Sequence, residues 1–281
     1  MKLQDWHTHS ALCRHATGTL EDYVKSGIQR GLETIAFNDH FPYEFYSGIE
    51  NVPYQEYSMS LDEIDYYLST ARELKKKYEK RINIKIGFEI EFIDDQVNSL
   101  NLHLNKVKSE IDFIFGSVHV LNSRKGLWPM DDSRFVEVFE EIGIDEVYQL
   151  FYQHLRKMIQ SKAFDFDIVS HFDLPKKFNK IPNDKEQFWE EVAKTLELIK
   201  HRNLTMEINT SGFRKDVKEQ YPSTDIIKMM YKLEIPILLG SDAHAPEEVG
   251  WEFNKMILII KDIGYNQLAH YSKRKRTFIE I

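Results

Sequence analysis

The chain has 281 residues, 42% of them hydrophobic, which excludes a disordered chain and suits one α/β barrel spanning residues 1–281. A formal charge of −8 excludes a surface that coats nucleic acid, because phosphate-backbone binding needs clustered Lys and Arg. One cysteine, Cys13, excludes an internal disulfide and suits a reducing, cytoplasmic setting. Charged and polar residues begin at Lys2 and no apolar run approaches a bilayer span, so neither a secretory leader nor a membrane segment is expected. The basic cluster at 273–276 reads as a solvated face.

In chain order, short apolar runs alternate with longer amphipathic ones. An extended segment beginning at Lys2 predicts a first strand at 3–6, followed by a helix at 19–30 capped by Thr19. A second strand at 33–37 ends in Asn38-Asp39-His40. A charged helix at 61–80 precedes a strand at 82–92, and another strand at 112–118 closes on His119. Residues 135–160 read as one or two helices broken near Gly143, and the strand at 166–170 ends in His171. Helix 186–202, strand 204–208, helix 223–232 capped by Ser223, strand 235–239 and helix 248–263 complete the pattern. This alternation predicts a parallel sheet with right-handed crossovers, of about seven β-α units. Segments 41–57 and 121–134 follow strand ends and lack a clear period, so they are expected as long loops beside the functional site.

The predicted C-terminal strand ends carry His7 and His9, then His40, Glu89, His119, His171, and Asp242 with His244. In His7-x-His9 and Asp242-x-His244 the i, i+2 spacing turns both side chains to one face of an extended segment. A barrel gathers such ends around a single mouth, so this series predicts a metal site, with His15 as a further imidazole. His103, His154, His201 and His270 fall in helical or loop stretches and read as packing or surface residues. Mixed imidazole and carboxylate donors favour Zn, Mn or Fe, and the donor supply suits two or three ions.

His7-Thr8-His9, Asp39-His40, Gly87-Phe88-Glu89, Ser117-Val118-His119, Ser170-His171 and Gly240-Ser241-Asp242-Ala243-His244 together resemble the motif series of the PHP (polymerase and histidinol phosphatase) family, in order along the whole chain. Cys13-Arg14-His15-Ala16, His171-Phe172-Asp173-Leu174 and the run from Glu207 to Gly212 are similar to its monofunctional histidinol-phosphate phosphatases. The resemblance implies a distorted, TIM-like (β/α)₇ barrel with a trinuclear site. It implies His7, His9, Glu89 and Asp242 on one ion, Glu89, His119 and His171 on a second, and His15, His40 and His244 on a third. Glu91 rivals Glu89 as the bridging carboxylate, with Glu89 preferred because it follows Gly87. Asp39 and Asp173 are expected to orient imidazoles from behind.

The implied activity is hydrolysis of L-histidinol phosphate by metal-bound hydroxide, with Asp242, Glu89 and His244 at the reacting centre. Arg214, Arg14 and Arg156 are the arginines expected to hold phosphate. The loop at 41–57, with Glu44 and Glu50, is the expected acidic and aromatic rim for the substrate's amine and imidazole. Alternatives are a phosphoesterase for another small monoester, such as a nucleotide or sugar phosphate, and a non-catalytic metal-binding domain, for which some ligand positions ought to be missing. A nuclease would need a basic stripe, which is absent from the sequence. The partner is thus a small phosphomonoester; the sequence does not fix an oligomeric state.

Overall fold

The computed structural model describes residues 3–281, so Lys2 lies outside the described residues. Its centre is a parallel sheet of strands β1 (Gln4–Asp5), β2 (Thr34–Phe37), β3 (Asn83–Glu91), β4 (Phe113–Ser117), β7 (Ile168–Val169), β8 (Thr205–Asn209) and β9 (Ile237–Gly240), adjacent in that order. The last strand returns to the first: Trp6 N donates to Leu239 O at 3.0 Å and Thr8 bridges Ala243 in parallel. The result is a seven-stranded, nearly closed (β/α)₇ barrel.

Helices α1 (Leu20–Gln29), α2 (Ile64–Lys77), α3 (Val97–Val107), α4 (Val138–Ile142), α5 (Ile144–Gln160), α6 (Lys185–His201), α7 (Thr224–Lys232) and α8 (Phe253–Ile263) flank the strands. Each buries an apolar stripe, such as Tyr23 and Val24 on α1 or Met256 and Ile260 on α8. Each fully buried aliphatic side chain contributes about 1.5–3 kcal/mol. Thr19 caps α1 through a reciprocal box with Asp22, as its sequence pattern predicts. None of the described helices is long and apolar enough to cross a membrane.

Inside the barrel, below the strand ends, Trp6, Phe113, Phe115, Ile168 and Leu238 pack with Ala269 and Tyr271 of a C-terminal hairpin, β10 (Gln267–Ser272) and β11 (Lys275–Glu280). The cluster at 273–276 is a solvated face only in part: Lys273 and Lys275 are exposed, while Arg274 and Arg276 are half-buried and engaged. It turns this hairpin, with Lys273 N donating to Asp112 Oδ1 at 3.0 Å and Arg274 paired with Asp165 and Asp167.

Other expectations are corrected. Helix α3 was not predicted, and the loop at 121–134 contains a hairpin of β5 (Val120–Ser123) and β6 (Gly126–Pro129). The helix expected from 248 starts only at Phe253, because Gly250 and Glu252 take left-handed φ of 65° and 57°. Ser223 makes no side-chain cap; its backbone N instead donates to Asp173 Oδ2 at 2.9 Å.

Candidate metal centre

Every expected histidine ligand reaches one floor at the C-terminal strand ends. His7 and His9 follow β1 with Nε2 atoms 2.8 Å apart, and Glu89 Oε2 lies 3.2 and 3.3 Å from them. Asp242 Oδ1, after β9, stands 3.3 Å from His9 Nε2. The other Glu89 oxygen, Oε1, faces His171 Nε2 at 2.9 Å and His119 Nε2 at 3.5 Å. His119 and His171 present Nε2 atoms 3.0 Å apart, as do His15 and His244. His40 aims Nδ1 at Glu89 Oε2 from 3.4 Å, and that buried nitrogen has no hydrogen-bond partner. Glu89 therefore sits between two imidazole groups with one oxygen toward each. Its rival Glu91 points away, accepting the backbone N–H groups of His119 and Val120.

The hydrogen bonds behind the rings decide what the floor can bind. His7 Nδ1 donates to Glu207 Oε1 at 2.6 Å, and His119 Nδ1 to Glu91 Oε2 at 2.8 Å. His15 Nδ1 donates to the Cys13 carbonyl at 2.6 Å, and His244 Nδ1 to the Asp242 carbonyl at 3.0 Å. A carbonyl or carboxylate only accepts, so each of these Nδ1 atoms carries a proton; at His15 and His244, which burial holds below the ordinary range, each Nε2 turns a lone pair inward, whereas at His7 and His119 the neighbouring carboxylates outweigh burial and raise the imidazole above it. In the His15–His244 pair, lone pair faces lone pair, an arrangement that a cation between them resolves. With N–metal distances of about 2.0–2.1 Å, donors lie about 3.3–3.4 Å apart at the tetrahedral angle and about 2.8–3.0 Å apart at about 90°, and the Nε2 separations of 2.8 and 3.0 Å match the narrower angle.

Burial, reinforced by His9, holds the imidazoles of His15, His40 and His244 below their ordinary range, and neutral imidazole is the form that binds metal. Burial disfavours charge on Glu89 and Asp242, yet the surrounding histidines hold both carboxyls well below the usual range.

Asp242 takes a left-handed φ of 49°, tolerated by Asp better than by most residues. Arg214 stabilises this turn, donating to the Ser241 and Asp242 carbonyls at 2.9 and 3.0 Å, and pairs with Glu248 at 3.1 Å. It is not among the residues that line the cavity; its Nη2 is tied to the Asp242 turn, and its Nη1 is buried without a hydrogen-bond partner. Arg156 is remote, held between α5 and α6 by Glu191 at 2.6 Å and Thr195 at 3.2 Å. Arg14 does line the cavity, where it pairs with Glu63.

Asp39 and Asp173 do not touch an imidazole. Asp39 accepts from Ser10 and Cys13, while Asp173 pairs with Lys176 at 2.9 Å. Glu207, buried on β8, has the orienting role instead, binding His7 and the backbone N–H of His171 at 2.9 Å. Glu44 caps Leu61 N, and neither it nor Glu50 lines the cavity.

Above the floor opens a cavity of about 740 Å³ whose walls include Tyr43, Tyr57, Phe178, Asp131, Lys177 and Lys215. Burial would raise the Asp131 carboxyl, but Lys177 and His119 outweigh it and hold it low. Lys215 makes no ion pair among the described residues, and burial together with Lys177 lowers its ammonium from the ordinary range. Both lysines escaped the sequence reading, which weighed arginines alone.

A family model described as PHP domain matches residues 5–211. The chain belongs to the PHP domain family. This PHP chain is 31% identical over 262 residues to a Deinococcus radiodurans protein named "Probable histidinol-phosphatase", covering 93% of this chain and 94% of that one. The histidinol-phosphatase of Bacillus subtilis is 26% identical over 266 residues, covering 92% and 99%. A Lactococcus lactis histidinol phosphate phosphatase solved with Zn, L-histidinol and phosphate superposes with a TM-score of 0.79 at 22% identity, over 98% of this chain and 99% of that one. A Listeria monocytogenes structure superposes with a TM-score of 0.82 at 24% identity, over 90% and 99%. The two structures show that the PHP chain shares their fold.

Proposed function

We propose that the 281-residue chain is one catalytic barrel that hydrolyses L-histidinol phosphate to L-histidinol and phosphate in the cytoplasm, using two or three divalent ions of Zn, Mn or Fe. The observation that carries this reading is the convergence of the His7, His9, His119 and His171 Nε2 atoms on the two oxygens of Glu89, beneath a cavity lined by Lys177 and Lys215. The aligned relatives named histidinol-phosphatase support the substrate.

His7, His9, Glu89 and Asp242 would hold one ion, Glu89, His119 and His171 a second, and His15, His40 and His244 a third. When bound, divalent ions acidify water and neutralise phosphoryl charge. The chain's own residues do the rest. Glu207 and Glu91 fix the ring orientations of His7 and His119, so that no reorganisation accompanies the reaction. Lys215 and Lys177 bring cationic charge to an anionic substrate in a chain of net charge −8, and we assign Lys215 to the phosphoryl oxygens.

The test is phosphate release from histidinol phosphate against a panel of other monoesters, by wild type and Asp242→Asn, with bound metal measured in both. Selective turnover, lost in the variant together with metal, is the expected result. Turnover of other monoesters alone would discard the substrate, and no turnover by fully loaded protein would remove the hydrolase reading.

A further inference from the structure

The mouth of the cavity contains a carboxylate that the hydrolytic reading does not use. Asp131, in the segment after β6, has Lys177 donating to its backbone carbonyl at 2.6 Å and to its Oδ2 at 3.0 Å. Oδ1 accepts no hydrogen bond from any described residue, and the side chain is 26% exposed. It lines the cavity together with His15, His119, His171, Tyr43 and Tyr57.

The other acidic groups around the mouth are engaged. Asp132 accepts from Tyr57 and Arg134, Glu56 pairs with Arg134 at 2.9 Å, and Glu63 pairs with Arg14. Asp131 Oδ1 and Glu56 Oε1 are carboxylate oxygens of the cavity wall that no described residue engages, and of the two side chains Asp131 is the less exposed, 26% against 60%. A phosphomonoester whose phosphoryl group lies on the floor extends its alcohol half toward the mouth. There a fixed anion between aromatic walls suits a cation borne close to the ester oxygen.

We propose that Asp131 is a specificity-determining residue, whose Oδ1 accepts from the ammonium group of an amino-alcohol phosphate. This rests on the phosphatase reading above. Lys177 is the positioning residue that fixes Asp131, and Tyr57 and Phe178 offer faces to a planar ring.

The experiment compares histidinol phosphate with imidazolylpropyl phosphate, which lacks only the amine, in wild type, Asp131→Asn and Asp131→Glu, each with metal content verified. Wild type is expected to prefer the amine-bearing substrate. Asp131→Asn should lose about 10- to 100-fold in kcat/KM on that substrate, mainly through KM, as for loss of one charged hydrogen bond. Its activity on the deamino substrate should change little, and Asp131→Glu should recover part of the preference. Equal losses on both substrates, or a wild type indifferent to the amine, would overturn the assignment and leave the hydrolase reading standing. A wild type that hydrolyses neither substrate but does hydrolyse other monoesters would instead remove the substrate reading, and the role of Asp131 with it.

Discussion

Glu207 acts on the floor without facing it. Its carboxylate accepts from His7 Nδ1 and from the backbone of His171, and so ties together ligands from opposite ends of the motif series. Glu207→Ala should weaken metal binding by about 10- to 100-fold, read by ion retention during chelator titration. Unchanged retention would show that packing alone orients His7. Arg214→Met should loosen the turn at Asp242 and lower metal occupancy with little change in KM of the reloaded enzyme; a rise in KM alone would return Arg214 to the substrate. The histidines were legible because strand ends and i, i+2 spacing mark them locally. Glu207 stood in a quoted motif without a role, since its partner His7 is distant in sequence. Lys215 lies one position beyond the arginine chosen for phosphate, and only the turn at Ser211–Arg214 decides which of the two side chains enters the cavity.

At the scale of elements, β9 shows how closely strand and site are fitted. A Cβ on Gly240 would lie 2.1 Å from Glu207 Oε1 and 2.7 Å from His7 Cβ, so only glycine lets β9 pass this carboxylate. Gly240→Ala should cost about 1–3 kcal/mol in denaturant unfolding and release metal together with stability. A normal midpoint with full occupancy would mean that Glu207 has room to move. Thr19→Ala, which removes the α1 capping box, should cost about 1 kcal/mol and leave the floor untouched. The strand–helix alternation was legible because buried strands read as apolar runs and helices as amphipathic ones. Two features resisted. Helix α3 lacks an N-cap side chain and an acidic first turn, so nothing marks its start. The hairpin of β10 and β11 is recognised by what it covers, since Tyr271 and Ala269 meet Trp6 and Phe113 only in three dimensions.

Across the whole molecule, the floor concentrates buried carboxylates and imidazoles that the bound ions would hold together. Chelation should lower the melting temperature, and stoichiometric Zn or Mn should restore it, because a ligand that binds only the folded state stabilises it by mass action. An unchanged melting temperature would mean that the floor is as stable empty as filled. Protons compete with metal for every imidazole, so occupancy should fall as pH falls from neutral toward 5 and recover on return. Measuring bound metal at each pH checks the sign.

The hairpin packed beneath the barrel also governs traffic. Trp6, whose ring meets Phe113 edge-on at a centroid distance of 5.4 Å, and Tyr271 fill the barrel with buried side chains below the histidines. Ions, water, substrate and products would then share the cavity whose walls include Tyr57 and Lys177. Under the proposed hydrolysis, a phosphate held above the floor would lie between the ions and that cavity, so turnover itself would slow the escape of metal to a chelator.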